Sequence, residues 1–161
     1  MSIQLLTLEQ LETRAQTFRD RELVAVLFEF EAISERNRLI DLKAGAPVTS
    51  TSNVVKVYEL HNTSPDAMRF EVSGIEVQEV LMDVADLIED TGWELSRKVL
   101  WHSHNHSEEP SARDIAYFPK YLFDEGIVYH TPTMASSRYN GTGVLSASSA
   151  SVSASLVTGC I

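Results

Sequence analysis

Two histidines one residue apart, His102 and His104, follow the strand-like segment Lys98–Trp101, and Asp114 lies ten residues beyond His104. Residues i and i+2 of a strand point to the same side, so both imidazoles can reach one metal ion from the end of a sheet. Asp114 adds a carboxylate oxygen. Two nitrogens and one oxygen, with a fourth position left to water, form the ligand set of a catalytic zinc site; structural zinc sites usually close with cysteines. The single cysteine, Cys160, is far along the chain. These residues therefore imply one Zn²⁺ per chain on His102, His104 and Asp114. Ser111-Ala112-Arg113-Asp114 also has the spacing of an ordinary helix cap, and such a cap would fix Asp114 on a first helical turn facing the strand end. The string His104-Asn105-His106 is not read as an HNH nuclease, whose residues are spread over a ββα unit. His106 is read as a loop residue at the rim of the site.

The elements that must hold this cluster follow from periodicity. Thr7–Arg19 is expected to be a helix, with Thr7 and Gln10 in capping-box spacing. Glu22–Phe30 reads as a strand, with a further strand around Arg38–Leu42, a loop over Gly45–Asn53 and a strand over Val54–Leu60. His61–Asp66 is loop, and Arg69–Val72 is a short extended piece. Ser73 and Glu76 have capping-box spacing ahead of a second helix that Gly92 ends. Strand Lys98–Trp101 leads into the histidines. A third helix is expected from Ser111 towards Leu122, kinked or shortened by Pro119. Strands are expected over Ile127–Thr131 and Arg138–Leu145, the second able to turn at Asn140–Gly143. Alternating helices and strands give an α/β or α+β fold. A single domain is expected over residues 1–145, with a Ser/Ala-rich tail over residues 146–161.

The chain has 161 residues and a formal net charge of −10. That length suits one domain with its own core. The acidic balance opposes nucleic-acid binding, because it repels phosphate backbones. No apolar run approaches the roughly 20 residues that span a bilayer. With one thiol and no signal-like N-terminus, the expected setting is the cytoplasm, without membrane partners.

His102-Ser103-His104 followed by Ser111-Ala112-Arg113-Asp114 resembles the JAMM motif of the MPN (Mov34/PAD-1) zinc metallopeptidases. The likeness extends over roughly residues 7–131 and includes the order strand, Asn-containing loop and helix ahead of the His-x-His strand. It implies a central mixed sheet flanked by helices. Six residues, Asn105–Pro110, separate His104 from Ser111, one fewer than the family's usual interval, and Asn105 stands where proline usually follows the second histidine.

The resemblance also implies roles. Glu22 fits the family's glutamate at the start of the first core strand and would be the general base. Ser111 would donate to the substrate carbonyl as it becomes an oxyanion. Glu29 and Glu31 compete for the base, but neither sits at the strand start, and both fall on the face opposite Glu22. Glu108 and Glu109 are read as solvated or substrate-facing. The implied reaction is zinc-dependent hydrolysis of a peptide or isopeptide bond. The implied partner is a protein or peptide: a ubiquitin-conjugated protein, a ubiquitin-like or sulfur-carrier tail, or a phage tail protein. Small size favours a prokaryotic or phage setting. The alternative is a non-catalytic MPN scaffold or phage tail-assembly subunit, a class that usually loses metal ligands.

Overall fold

A computed structural model of the chain describes residues 4–33, 43, 45 and 51–148. Its elements are β1 (Gln4–Leu6), α1 (Leu8–Thr17), β2 (Val24–Ile33), β3 (Thr51–Leu60), α2 (Gly74–Thr91), β4 (Glu94–His104), α3 (Ala112–Ala116), β5 (Glu125–His130), β6 (Ala135–Asn140) and β7 (Gly143–Ser148). The seven strands form one sheet in the order β1-β3-β2-β4-β5-β6-β7. β4 and β5 are parallel and every other neighbouring pair is antiparallel. The fold is thus a mixed sheet flanked by helices, the architecture expected of an MPN/JAMM-like domain.

Strand alternation divides the core. Ala25, Leu27, Val99 and Trp101 bury one face of the sheet with Leu11 and Ala15 of α1. Val24, Val26, Phe28 and Leu100 bury the other with Val80 and Val84 of α2. His102 and His104 continue the series of Leu100, so they emerge on the α2 face. Parallel strands need a crossover. The segment between β4 and β5 makes it, carrying α3 across the same face.

Several boundaries differ from expectation. β2 begins at Val24, so Glu22 lies in its entry and not within the strand. Thr51–Asn53 belong to β3 and not to a loop; Arg38–Leu42 lie outside the described residues. Residues 69–72 form no strand. Their segment is held by the Asn62 side chain and by Thr63 N–H donating to the Glu71 carbonyl at 2.9 Å. Thr7 and Gln10 do form a reciprocal capping box on α1. Ser73 caps α2, but Glu76 does not return the bond; its buried carboxylate accepts from His61 N at 2.6 Å and lies 2.7 Å from His61 Nδ1. α3 stops at Ala116, well short of Leu122, and the chain then folds back so that Leu122 N and Phe123 N both donate to Pro119 O. Proline disfavours helical geometry in the residue before it, here Phe118. Arg138–Leu145 resolves into a hairpin of two strands. The Asn140 side chain ties down Thr142 in its turn, and Gly143 has a φ of 142°, which suits glycine alone. β7 extends to Ser148, pairing Ser146–Ser148 with β6.

Candidate metal centre

The site sits where β2 begins and β4 ends. Val24 pairs with His102, and the ladder continues past β2, because Ser103 N donates to Leu23 O at 3.0 Å. The Ser103 side chain points to the opposite face from the histidines, and its hydroxyl accepts from Leu23 N at 2.8 Å. This antiparallel frame sets buried Glu22 beside His104. The backbone of Glu22 is fixed again from the loop after β3: its N–H donates to Ala67 O at 3.0 Å, and its carbonyl accepts from Asn62 Nδ2 at 2.9 Å.

Asp114 arrives from the crossover. Ser111 caps α3 in an extended conformation, its hydroxyl accepting from Asp114 N at 3.0 Å, while Ser111 N donates to Asp114 Oδ2 at 2.8 Å. The expected capping box is therefore present and holds the carboxylate against the strand end.

The ligand-type atoms converge. His102 Nε2 and His104 Nε2 are 3.1 Å apart. Asp114 Oδ2 lies 3.2 Å from the first and 3.3 Å from the second. Glu22 Oε1 stands farther back, 4.0 Å from His102 Nε2 and 3.9 Å from His104 Nε2. Glu22, His102 and His104, all buried, form a group whose ligand atoms lie within 4.8 Å of one another, as a shared metal ion requires.

Three features fit a cation here. Zinc bonds of about 2.0–2.1 Å in a tetrahedron put neighbouring ligand atoms about 3.3–3.4 Å apart; the two Nε2 atoms and Asp114 Oδ2 are spaced at 3.1–3.3 Å. His104 Nδ1 lies 3.3 Å from Ser107 O, so an N–H there donates to the carbonyl and leaves the Nε2 lone pair for a metal. His102 Nδ1 has no hydrogen-bond partner, and its ring is held instead against Phe70, with centroids 4.7 Å apart.

Charge is the third feature. Burial, then the negative charges of Asp114 and Asp66, push the Glu22 carboxyl up to about 9. Burial also opposes ionisation of Asp114, but hydrogen bonds from His102 and His104 outweigh it and hold that carboxyl far below the usual range. Burial lowers the His102 pKa, opposing a proton on its ring. A Glu22 carboxyl that resists ionisation beside ionised Asp114, and a buried His102 ring that resists protonation, mark a site short of positive charge.

The other candidate residues are placed elsewhere. Glu29 lies 2.8 Å from Arg97 Nε on the far face, as alternation required. His106 is exposed and stacks on His104, centroids 4.6 Å apart. Glu108 is exposed near His130, at 4.0 Å. Three further residues shape the site without a signal in the sequence, Ser103, Phe70 and Tyr139, while Asn62 belongs to the Asn-containing loop of the resemblance. The Tyr139 ring meets His102 edge-on at 6.0 Å. It fits only because residue 126 is glycine: a Cβ there would lie 2.4 Å from Tyr139 Cζ. Among the described residues no helix is long and apolar enough to cross a membrane.

Comparison of the chain with models of protein families, with curated proteins and with solved structures yields no match. The metal-binding cluster of Glu22, His102 and His104, with Asp114 beside it, is consistent with a JAMM/MPN-type site and gives the chain metal-dependent catalytic potential.

Proposed function

We propose that this chain is a JAMM-type zinc hydrolase that cleaves a peptide or isopeptide bond. The observation that carries the reading is the near-equal spacing of His102 Nε2, His104 Nε2 and Asp114 Oδ2, with Glu22 about 0.7 Å farther out on the scale of tetrahedral zinc. His102, His104 and Asp114 would hold the ion, and Glu22 would remain free of it. Zinc bound there supplies Lewis acidity that makes a water nucleophilic near neutral pH.

The remaining work falls to the chain's own side chains. Glu22 accepts a proton from the attacking water and delivers it to the leaving amine nitrogen. Hydrogen bonds to its N–H and its carbonyl fix the backbone from which the carboxylate reaches the site. Ser111 uses its acceptor lone pairs for the cap and keeps its one proton for the carbonyl oxygen that takes up charge. A protein or peptide substrate in a cytoplasmic, prokaryotic or phage setting belongs to this reading. Retention of the whole ligand set opposes the scaffold alternative.

Glu22→Gln tests the assignment. It keeps the size and removes the proton-accepting charge. Zinc content should stay near that of the wild type while hydrolysis of peptide substrates is lost. Loss of zinc in this variant would make Glu22 a ligand; wild-type hydrolysis would remove it from the mechanism.

A further inference from the structure

A cavity of about 430 Å³ opens directly on the cluster: Glu22, His104, Ser111 and Asp114 are part of its lining. Beyond them its inner wall is apolar, formed by Val26, Leu60, Val72, Val77, Leu100 and Phe123. At its mouth, Met68, Tyr117 and Leu122 line the same space and are exposed by 41%, 75% and 46%. Large apolar side chains left in water beside an apolar hollow mark a binding surface. Its volume is that of ligand pockets, about 300–1,000 Å³. Hydrolysing an amide needs room only for the backbone, so a glycine tail would leave these walls facing water.

Charge at the mouth is also selective. The chain is strongly acidic, yet Arg69 and Arg113 both line this cavity. Arg69 is already 3.5 Å from Asp66. The Arg113 guanidinium lies over the Tyr117 ring, 5.1 Å from its centroid, an arrangement that leaves its hydrogen-bond donors for an incoming anion.

We infer that the substrate is a peptide with a bulky apolar side chain beside the scissile bond, seated in this cavity, and a neighbouring acidic residue that meets Arg113. The inference rests on the hydrolase reading for the position of the scissile bond; the binding preference itself is measurable without turnover.

The experiment is fluorescence anisotropy with short labelled peptides, identical except for a central Gly, Leu or Phe and a flanking Asp or Lys. The protein is the full chain carrying Glu22→Gln and loaded with zinc, and the wild-type chain stripped of metal by chelation. Leu and Phe peptides should bind roughly tenfold or more tightly than the Gly peptide on both proteins, the scale set by burying a large apolar side chain. Asp-flanked peptides should bind more tightly than Lys-flanked ones, and Arg113→Ala should abolish that difference while keeping the preference for Phe. Val72→Trp, checked for folding by its melt, should abolish the preference for Phe. Equal binding of Gly and Phe peptides, or no binding by any of them, overturns the apolar seat. An Asp preference that survives Arg113→Ala overturns the arginine contact. Failure of the hydrolase reading shows separately, as wild-type protein that takes up no zinc.

Discussion

Asn62 Nδ2 donates to the carbonyl oxygen of Glu22 at 2.9 Å, joining the loop after β3 to the entry of β2. The same amide donates to Arg69 O and its oxygen accepts from Ser64 N and Glu71 N, so one side chain organises the segment on which Glu22 depends. Asn62→Ala leaves these groups without their partner and should cost about 1–3 kcal/mol. The hydrogen bonds of the Asn62 side chain go to Glu22, Ser64, Arg69 and Glu71 and not to His102, His104 or Asp114, so zinc content should persist while hydrolysis falls. Denaturant melts, metal analysis and rate measurements on one preparation check this. Loss of zinc in step with activity would show that the loop supports the ligands and not the base.

Glu22 also sets a pH dependence for the metal-free chain. Its ordinary pKa near 4.5 rises to about 9 in the folded protein, so the folded state resists its ionisation. The associated stability is fully present below about pH 4.5 and is lost progressively as pH rises towards 9. Glu22→Gln cannot ionise. With chelator present, its melting temperature should exceed that of the wild type by a margin that widens from about pH 5 to about pH 9. Parallel pH profiles for the two proteins would contradict the burial argument.

Ser111 combines a cap with a donor, and two substitutions separate them. Ser111→Ala removes the acceptor for Asp114 N and should cost about 0.5–2 kcal/mol. Ser111→Asp restores a good cap but, when ionised, has no proton to give and places charge near the developing oxyanion. It should be more stable than Ser111→Ala and still inactive in single-turnover hydrolysis. Wild-type turnover by Ser111→Asp would make Ser111 a cap only.

Gly126→Ala tests the wall behind the histidines. The added Cβ would be 2.4 Å from Tyr139 Cζ, within the van der Waals radii of both atoms. The ring must shift, at a cost of about 1–3 kcal/mol by the usual scale of overpacking. Because that ring packs edge-on against His102, zinc affinity should fall as well, measured by competition with a chelating dye. Unchanged stability would mean that the ring has room which the packing does not show.

The chemistry was legible where it is local. His102 and His104 are two residues apart in a strand, and Ser111 and Asp114 lie three apart at a helix start; both spacings fix geometry without the rest of the fold. Glu22 lies 80 residues before His102, and family resemblance alone pointed to it. What stayed hidden is long-range. Nothing near Asn62 in sequence marks its bond to Glu22, and the Ser73–Glu76 spacing predicts a reciprocal cap that His61 pre-empts by taking the Glu76 carboxylate. β4 begins earlier than its apolar run because Arg97 is paired with Glu29 and Glu125 across the sheet, so charge there does not end a strand. The polar residues Ser146–Ser148 become strand through backbone pairing with β6, which composition does not reveal.

We propose His102, His104 and Asp114 as the ligands of one zinc ion. Elemental analysis of wild-type protein, purified without added metal and then dialysed against zinc and freed of excess, tests it most directly. About one zinc per chain is expected, the stoichiometry of a single catalytic site. Wild-type protein that contains no zinc and takes up none would contradict it.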